Sequence, residues 1–395
     1  MIQIMTALAT GGAVVASQYI GHREEKSARA AAAQIMFIMS SFSILVAAVV
    51  VVGRHAILRG IFGSIDADVM KYAETYFLLS ALSYPFIGLY NAGAALFRAQ
   101  GNSKISMMSS LVMNVVNIGG NAILIFGFKM GVMGAALATV LSQVASAVLT
   151  LRCIVGSQGM PWHIRTEKLR LHGDVFAAIC TIGVPAAAQS AMYNISNIFI
   201  QSSMNSFGTS TIAAWGVYGK IDFLFWMTIN SLGIAITTFA GQNFGARQYD
   251  RVRRGVRVCL AMAACTTLVI SFTFYNLAEV LFRLFSQDDA VVAVGVGMMH
   301  VLTPVYITYV CIEVLAGALR GCGDVRVPTL ITVFFVCGLR MLWLFIAVPI
   351  RHEVATVEMS YPITWSLASA LFILYYVKGG WMQRCAEKWE KKQAG

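Results

Sequence analysis

The chain repeats itself at a nearly constant interval. Ala16, Gln18, Gly21 and Arg23 return 224 residues later as Ala240, Gln242, Gly245 and Arg247 in the same A-x-Q-x-x-G-x-R spacing. Arg98, Gly101, Asn102 and Lys104 are answered 222 residues on by Arg320, Gly323, Asp324 and Arg326. A third echo sets Val144–Val148 against Leu367–Leu371, at an offset of 223. Each match is weak by itself, but three on one offset make the chain two related halves in tandem. In an apolar chain, a repeat of this size is the organisation of a transporter.

Apolar the chain certainly is. It is 58% hydrophobic and 12% charged, half the charge of an ordinary soluble domain. The apolar residues fall into blocks long enough to span roughly 30 Å of hydrocarbon. Eleven spans are predicted, near 1–21, 28–53, 72–96, 105–127, 131–152, 175–205, 211–242, 255–277, 291–318, 327–349 and 356–377. The fold class expected is therefore an all-α integral membrane protein of two tandem lobes.

The net charge of +11 suggests nucleic acid at first sight, but its distribution excludes it. Alternate loops carry 21 and six Lys/Arg, respectively. That asymmetry is the positive-inside bias. It places the basic loops and the C-terminus in the cytoplasm, in a multi-pass protein of the cell inner (plasma) membrane. The eight cysteines form no C-x-x-C pair and fall in spans or on the cytoplasmic side, which implies neither a disulfide framework nor a zinc site.

The domain reading is an N-lobe over 1–152, a cytoplasmic linker over 153–173, a C-lobe over 174–378 and a basic tail over 379–395. In the tail, Trp381 and Trp389 suggest an amphipathic interfacial helix. The repeat register sets Met1 opposite Phe225, inside the span that begins near Thr211. On this reading the first helix of the N-lobe would precede the chain, leaving helices 2–6 there and 7–12 in the C-lobe. Pro85 and Pro304 stand in corresponding helices and Pro185 opens the sixth span; each frees a carbonyl and either kinks a packed helix or serves as a hinge.

Ionisable residues inside spans are costly and usually functional. Four stand out: Lys220, Asp222, Glu313 and Arg340. By depth, Glu313 and Arg340 lie on adjacent helices where they can pair. A tight pair would be structural, whereas one that opens would leave Glu313 to bind a proton or cation. Asp222 is the better exchangeable site of the seventh span, because Lys220 lies nearer the external end and can snorkel. Phe223 and Trp226 follow Asp222 as cavity-lining aromatics. In the first half, Asn91 maps onto Glu313, Asn117 and Asn121 share a helix face, and Thr139 lies on the next helix. These oxygens either ring a cation, which takes hard ligands, or bond helices together.

Three segments carry a family resemblance. They are Thr237–Arg247 around the Gln242 motif, Leu319–Asp324, and Asn117–Gly127 with the Gly131–Thr139 run that follows it. Through them the chain resembles the multidrug and toxic compound extrusion (MATE) family of antiporters, most nearly its DNA-damage-inducible branch. The resemblance implies two six-helix lobes, alternating access, and export of organic cations or amphipathic compounds against entering H⁺ or Na⁺. No cofactor and no enzymatic activity are implied, and a monomer is expected. The family's N-lobe cation site falls on Asn91, Asn117, Asn121 and Thr139. An amide stands at Asn121, where the family often has a carboxylate, and the family's first-helix aspartate has no counterpart here. A transport-incompetent fragment is one alternative. Another is a flippase for lipid-linked saccharides, which would need more cavity cations than Lys220 and Arg340.

Overall fold

The computed structural model describes residues 2–63, 67–156 and 173–394. No strand occurs among them. The chain divides into two compact units, Met1–Val184 and Pro185–Gly395. Residues 157–172, most of the expected linker, lie outside the described residues.

The first unit holds α1 (Ile2–Gly21), α2 (Glu25–Phe62), α3 (Ala67–Ala99), α4 (Ser103–Asn121), α5 (Gly131–Gly156) and the start of α6 (Gly173–Asn205). Helix α2 packs on α3, α4 on α5, and α3 on α5. The second unit continues from Pro185 through α7 (Thr209–Gly245), α8 (Tyr249–Asn276), the short α9 (Ala278–Arg283), α10 (Asp289–Leu302) and α11 (Tyr306–Gly321). It closes with α12 (Arg326–Ile331), α13 (Leu339–Ile350), α14 (Val354–Glu358), α15 (Ser360–Lys378) and α16 (Trp381–Ala394). Helix α11 is its centre, packed on α7, α8 and α15.

Among the described residues, ten helical stretches are long and apolar enough to cross a membrane. Each of the eleven predicted spans falls on helix, but the third, 72–96 within α3, does not reach that apolarity, since it carries Ser80, Ser83, Tyr84, Pro85, Tyr90 and Asn91. Backbone amides in hydrocarbon must be satisfied within the segment, which is why the apolar blocks are helical throughout. Pro185 lies inside α6 rather than at its opening. Pro304 sits in a single 3₁₀ turn, Thr303–Val305, that separates α10 from α11, so the ninth span is broken where the proline withholds its N–H.

The repeated phrases are helix caps. In the first, the N–H of Arg247 bonds to the carbonyl of Phe244 at 2.9 Å and that of Gln248 to Asn243 at 2.8 Å. The earlier copy matches bond for bond, Arg23 to Ile20 and Glu24 to Tyr19, both at 3.0 Å. The second phrase does the same through Gly101 and Asn102, and again through Gly323 and Asp324. All four are Schellman endings, with a left-handed residue just past the helix: Arg23 at φ 61°, Gly101 at 79°, Arg247 at 59° and Gly323 at 88°. The spacing therefore recurs because each half ends two helices in the same way.

Arginine carries a Cβ into a conformation that costs about 1–2 kcal/mol for residues other than glycine. Gly323→Ala should accordingly lower stability by about 1 kcal/mol, and Arg247→Gly should raise it by a similar amount. Thermal unfolding of the purified protein reads both, and equal shifts of the same sign would contradict the cap assignment.

The tail forms the amphipathic helix α16. Trp381 and Trp389 are 3% and 6% exposed and pack on Tyr376 and Phe244. Its aromatic side chains lie against the second unit.

Candidate functional site

Within the second unit the charged residues of the spans meet an aromatic core. Asp222 stands midway along α7. Its Oδ1 accepts from the Tyr306 hydroxyl at 2.5 Å, and its Oδ2 from Trp226 Nε1, one turn along the same helix, at 2.6 Å. The Tyr218 and Tyr306 hydroxyls are 3.0 Å apart. Tyr306 is fully buried and stacks on Phe225, with ring centroids 4.1 Å apart. Asp222 is thus held by donors on two helices. A carboxylate removed from water is stable only with such partners, and it keeps an environment in which its protonation can change.

Glu313, on α11, accepts from the Tyr309 hydroxyl at 3.3 Å, and Tyr309 meets the Tyr193 hydroxyl at 3.3 Å. Gly233 of α7 makes room for it, because a Cβ there would run into the Glu313 carboxyl group. The two carboxylates are joined by rings, not by charge. Trp226, which holds Asp222, lies edge-on to Tyr309, which holds Glu313, with centroids 4.8 Å apart.

Arg340 is 2% exposed. Its guanidinium lies 4.2 Å from the Tyr361 ring centroid and 5.8 Å from that of Trp365. One Nη donates to Thr364 Oγ1 at 3.2 Å, while Nε is buried without an acceptor. The expected Glu313–Arg340 ion pair does not form among the described residues. Arg340 is instead compensated by π faces, which attract a desolvated cation. A π-helical turn, Thr332–Gly338, immediately precedes α13, and by adding a residue to one turn it rotates Arg340 to a face that depth alone does not specify.

Of the weaker candidates, Trp226 belongs to this core. Phe223 is 61% exposed and outside it, and Lys220 is exposed with its ammonium 5.4 Å from the Phe285 ring. Sequence reasoning passed over Glu358. It is 2% exposed, ends α14, and its Oε1 has no hydrogen-bond partner. The signal was available, since Glu358 lies inside the predicted span 356–377. Tyr306, Tyr309 and Tyr361 were missed too, as no periodicity separates a carboxylate-holding tyrosine from a packed one.

The first unit brings together three of its four predicted residues. Asn121 Nδ2 donates to Asn117 Oδ1 at 3.1 Å, and Asn117 Nδ2 to Thr139 Oγ1 at 3.4 Å. Asn91 stands apart, its Oδ1 accepting from Thr6 Oγ1 at 3.5 Å. A second π-helical turn, Ala122–Gly127, begins directly after Asn121. The chain of amides bonds α4 to α5, so it can serve either as helix glue or as a set of neutral hard ligands. Among the described residues there is no cluster of His, Cys, Asp and Glu able to hold a metal ion.

Comparison with known proteins was made against this geometry. The MatE family model matches residues 1–123 and 185–346. The Probable multidrug resistance protein YoeA of Bacillus subtilis (strain 168) is 24% identical, over 95% of this chain and 82% of that protein. The Probable multidrug resistance protein NorM of Thermotoga maritima is 21% identical, over 96% of this chain and 82% of its own. Among solved structures, a MOP superfamily transporter from Pyrococcus furiosus, described as having a binding pocket of reverse polarity, superposes with a TM-score of 0.90 at 17% identity, covering 98% of this chain and 85% of that one. An outward-facing multidrug resistance MATE transporter superposes at 0.89, also at 17% identity, over 99% and 86%.

Proposed function

The chain belongs to the MatE family of transporters, a class of membrane proteins and not of enzymes, and on that premise we propose that it is a multidrug efflux transporter of the plasma membrane. It exports organic cations or amphipathic compounds by alternating access, driven by entry of H⁺ or Na⁺. The observation that carries the coupling is Asp222, a carboxylate within a span, bonded by Tyr306 and Trp226 and linked through aromatic rings to a second carboxylate at Glu313. A proton bound at either oxygen of Asp222 takes the place of a donor, which frees a tyrosine or tryptophan to turn toward cargo. The aromatic surround suits flat, greasy cations. The saccharide-flippase alternative is less well supported, because Lys220 is exposed beside Phe285 and Arg340 is already enclosed by Tyr361 and Trp365.

Proteoliposomes containing the chain, loaded with ethidium and given Na⁺ and pH gradients separately, test this reading. Efflux should respond to at least one gradient and collapse when it is dissipated. Gradient-independent leakage of several cationic dyes would overturn it. The amide chain of the first unit enters the same assay. Asn117→Ala should alter the Na⁺ response if the amides bind the ion, and lower stability by about 1 kcal/mol with no ion effect if they are glue.

A further inference from the structure

On the basic side of the second unit, a groove of about 550 Å³ runs between the α7–α8 turn and α16. Arg247, Gln248, Arg251 and Arg253 line one wall, and Met382 and Gln383 the other. Asp250 also reaches the groove, but Arg253 takes it up at 3.6 Å. Arg251 bonds to Gln248 at 3.2 Å and lies over the Phe239 ring. Arg247, held in its left-handed cap, has no ion pair or side-chain hydrogen bond among the described residues. Two guanidinium charges therefore face the groove without a counter-ion.

We propose that this groove binds the phosphate head group of an anionic phospholipid, which clamps α16 onto the end of α7. Three observations lead there. The turn joins the ends of two membrane-length helices, which sets it at head-group level. The other wall puts no carboxylate into the groove: α16 lines it with Met382, Gln383 and Ala386, and the helix as a whole stays weakly basic, with Arg384, Lys388, Lys391 and Lys392 set against Glu387 and Glu390. The chain also supplies its own control. The matching cap of the first half is followed by three bases and two glutamates over residues 23–33, with Arg29 tied to Glu25 at 3.1 Å, whereas residues 247–257 hold five arginines and one aspartate. A basic-side bias accounts for an excess of positive charge. It does not account for so uneven a balance of charge after two helix caps of the same geometry.

Helix α16 is held by side chains: Trp389 on Phe244, Trp381 on Tyr376, and Arg384 Nη2 on the Tyr375 hydroxyl at 2.8 Å, which in turn donates to Asp324 at 2.5 Å. Cys385 reports the docking. It is 8% exposed, and burial pushes its thiol up to about 12, so a docked α16 resists alkylation at neutral pH.

The full chain in nanodiscs of phosphatidylcholine, with or without phosphatidylglycerol, gives the test. Phosphatidylglycerol should slow Cys385 alkylation, located by peptide mass spectrometry, about tenfold. It should also be retained on the protein in native mass spectrometry. Arg247→Gln with Arg251→Gln should weaken that retention by roughly 30-fold; Gln383→Glu, on the opposite wall, should weaken it independently. Arg254→Gln with Arg257→Gln, equal in charge but outside the groove, should leave it unchanged. The proposal fails if phosphatidylglycerol has no effect on the wild type, or if the two double variants lose retention equally, which would mark a diffuse basic surface. Equal protection by soluble glycerophosphate in pure phosphatidylcholine discs would replace the lipid by a free phosphate ester and also overturn it. No readout depends on transport, so the outcome is separate from that of the efflux reading.

Discussion

Asp222→Asn should reduce gradient-driven efflux by roughly 5–150-fold, the range of coupling free energies that link two ligands in one protein, while leaving the fold intact. The hydrogen-bond geometry explains why the two effects separate. Trp226 Nε1 can only donate, so the asparagine must turn its carbonyl oxygen toward it. Its NH₂ then points at the Tyr306 hydroxyl, which can accept and turn its own O–H to donate to Tyr218, 3.0 Å away. The buried Tyr218 hydroxyl gives up its acceptor in that exchange, and the stability cost should be about 1–3 kcal/mol. What is lost is the group able to carry a proton or ligate an ion. Glu313→Gln is the paired measurement, because Tyr309 can rearrange in the same way through Tyr193. Full efflux in Asp222→Asn, measured with both gradients, would remove this carboxylate from the coupling mechanism.

How much of this was legible in the sequence depends on which physical quantity each element required. Length and apolarity place the helices, and the offset near 223 places the halves, because both depend on composition along the chain. The amide chain was also legible: Asn117 and Asn121 are one turn apart, and Thr139 lies on the following helix. The partnership of Arg340 was not. Depth put it level with Glu313, but its direction around the helix axis depends on the π-helical turn before it, and no composition rule announces such a turn. The docking of α16 on protein was not legible for a related reason. An amphipathic segment declares that one face is buried, but not whether lipid or protein buries it. The cap motifs show the reverse case. Read in sequence, they showed only a repeat and a resemblance; their backbone bonds show that the recurrent glycines and arginines satisfy the geometry of helix ends.

Gly317→Val should destabilise the second unit by about 3 kcal/mol, and it should act without touching any charged group. Helices α7 and α11 approach so closely that a Cβ at Gly317 would lie 2.8 Å from the Gly233 carbonyl oxygen, 2.9 Å from Ile236 and 3.0 Å from the Thr237 hydroxyl. Backbone cannot rotate out of the way as a side-chain tip can, so the helices must part, and overpacking of this kind costs about 1–3 kcal/mol at its ordinary range. Parting them also breaks the face on which Tyr306 reaches Asp222. Gly233→Ala provides the contrast. Its Cβ meets the flexible end of Glu313 instead, so it should cost less stability yet displace the carboxylate from Tyr309 and reproduce the efflux phenotype of Glu313→Gln. Thermal unfolding and dye efflux, measured on both variants, separate the two. If Gly317→Val melts with the wild type, α7 and α11 do not pack this closely; if Gly233→Ala transports normally, the seat of Glu313 against α7 has no part in coupling.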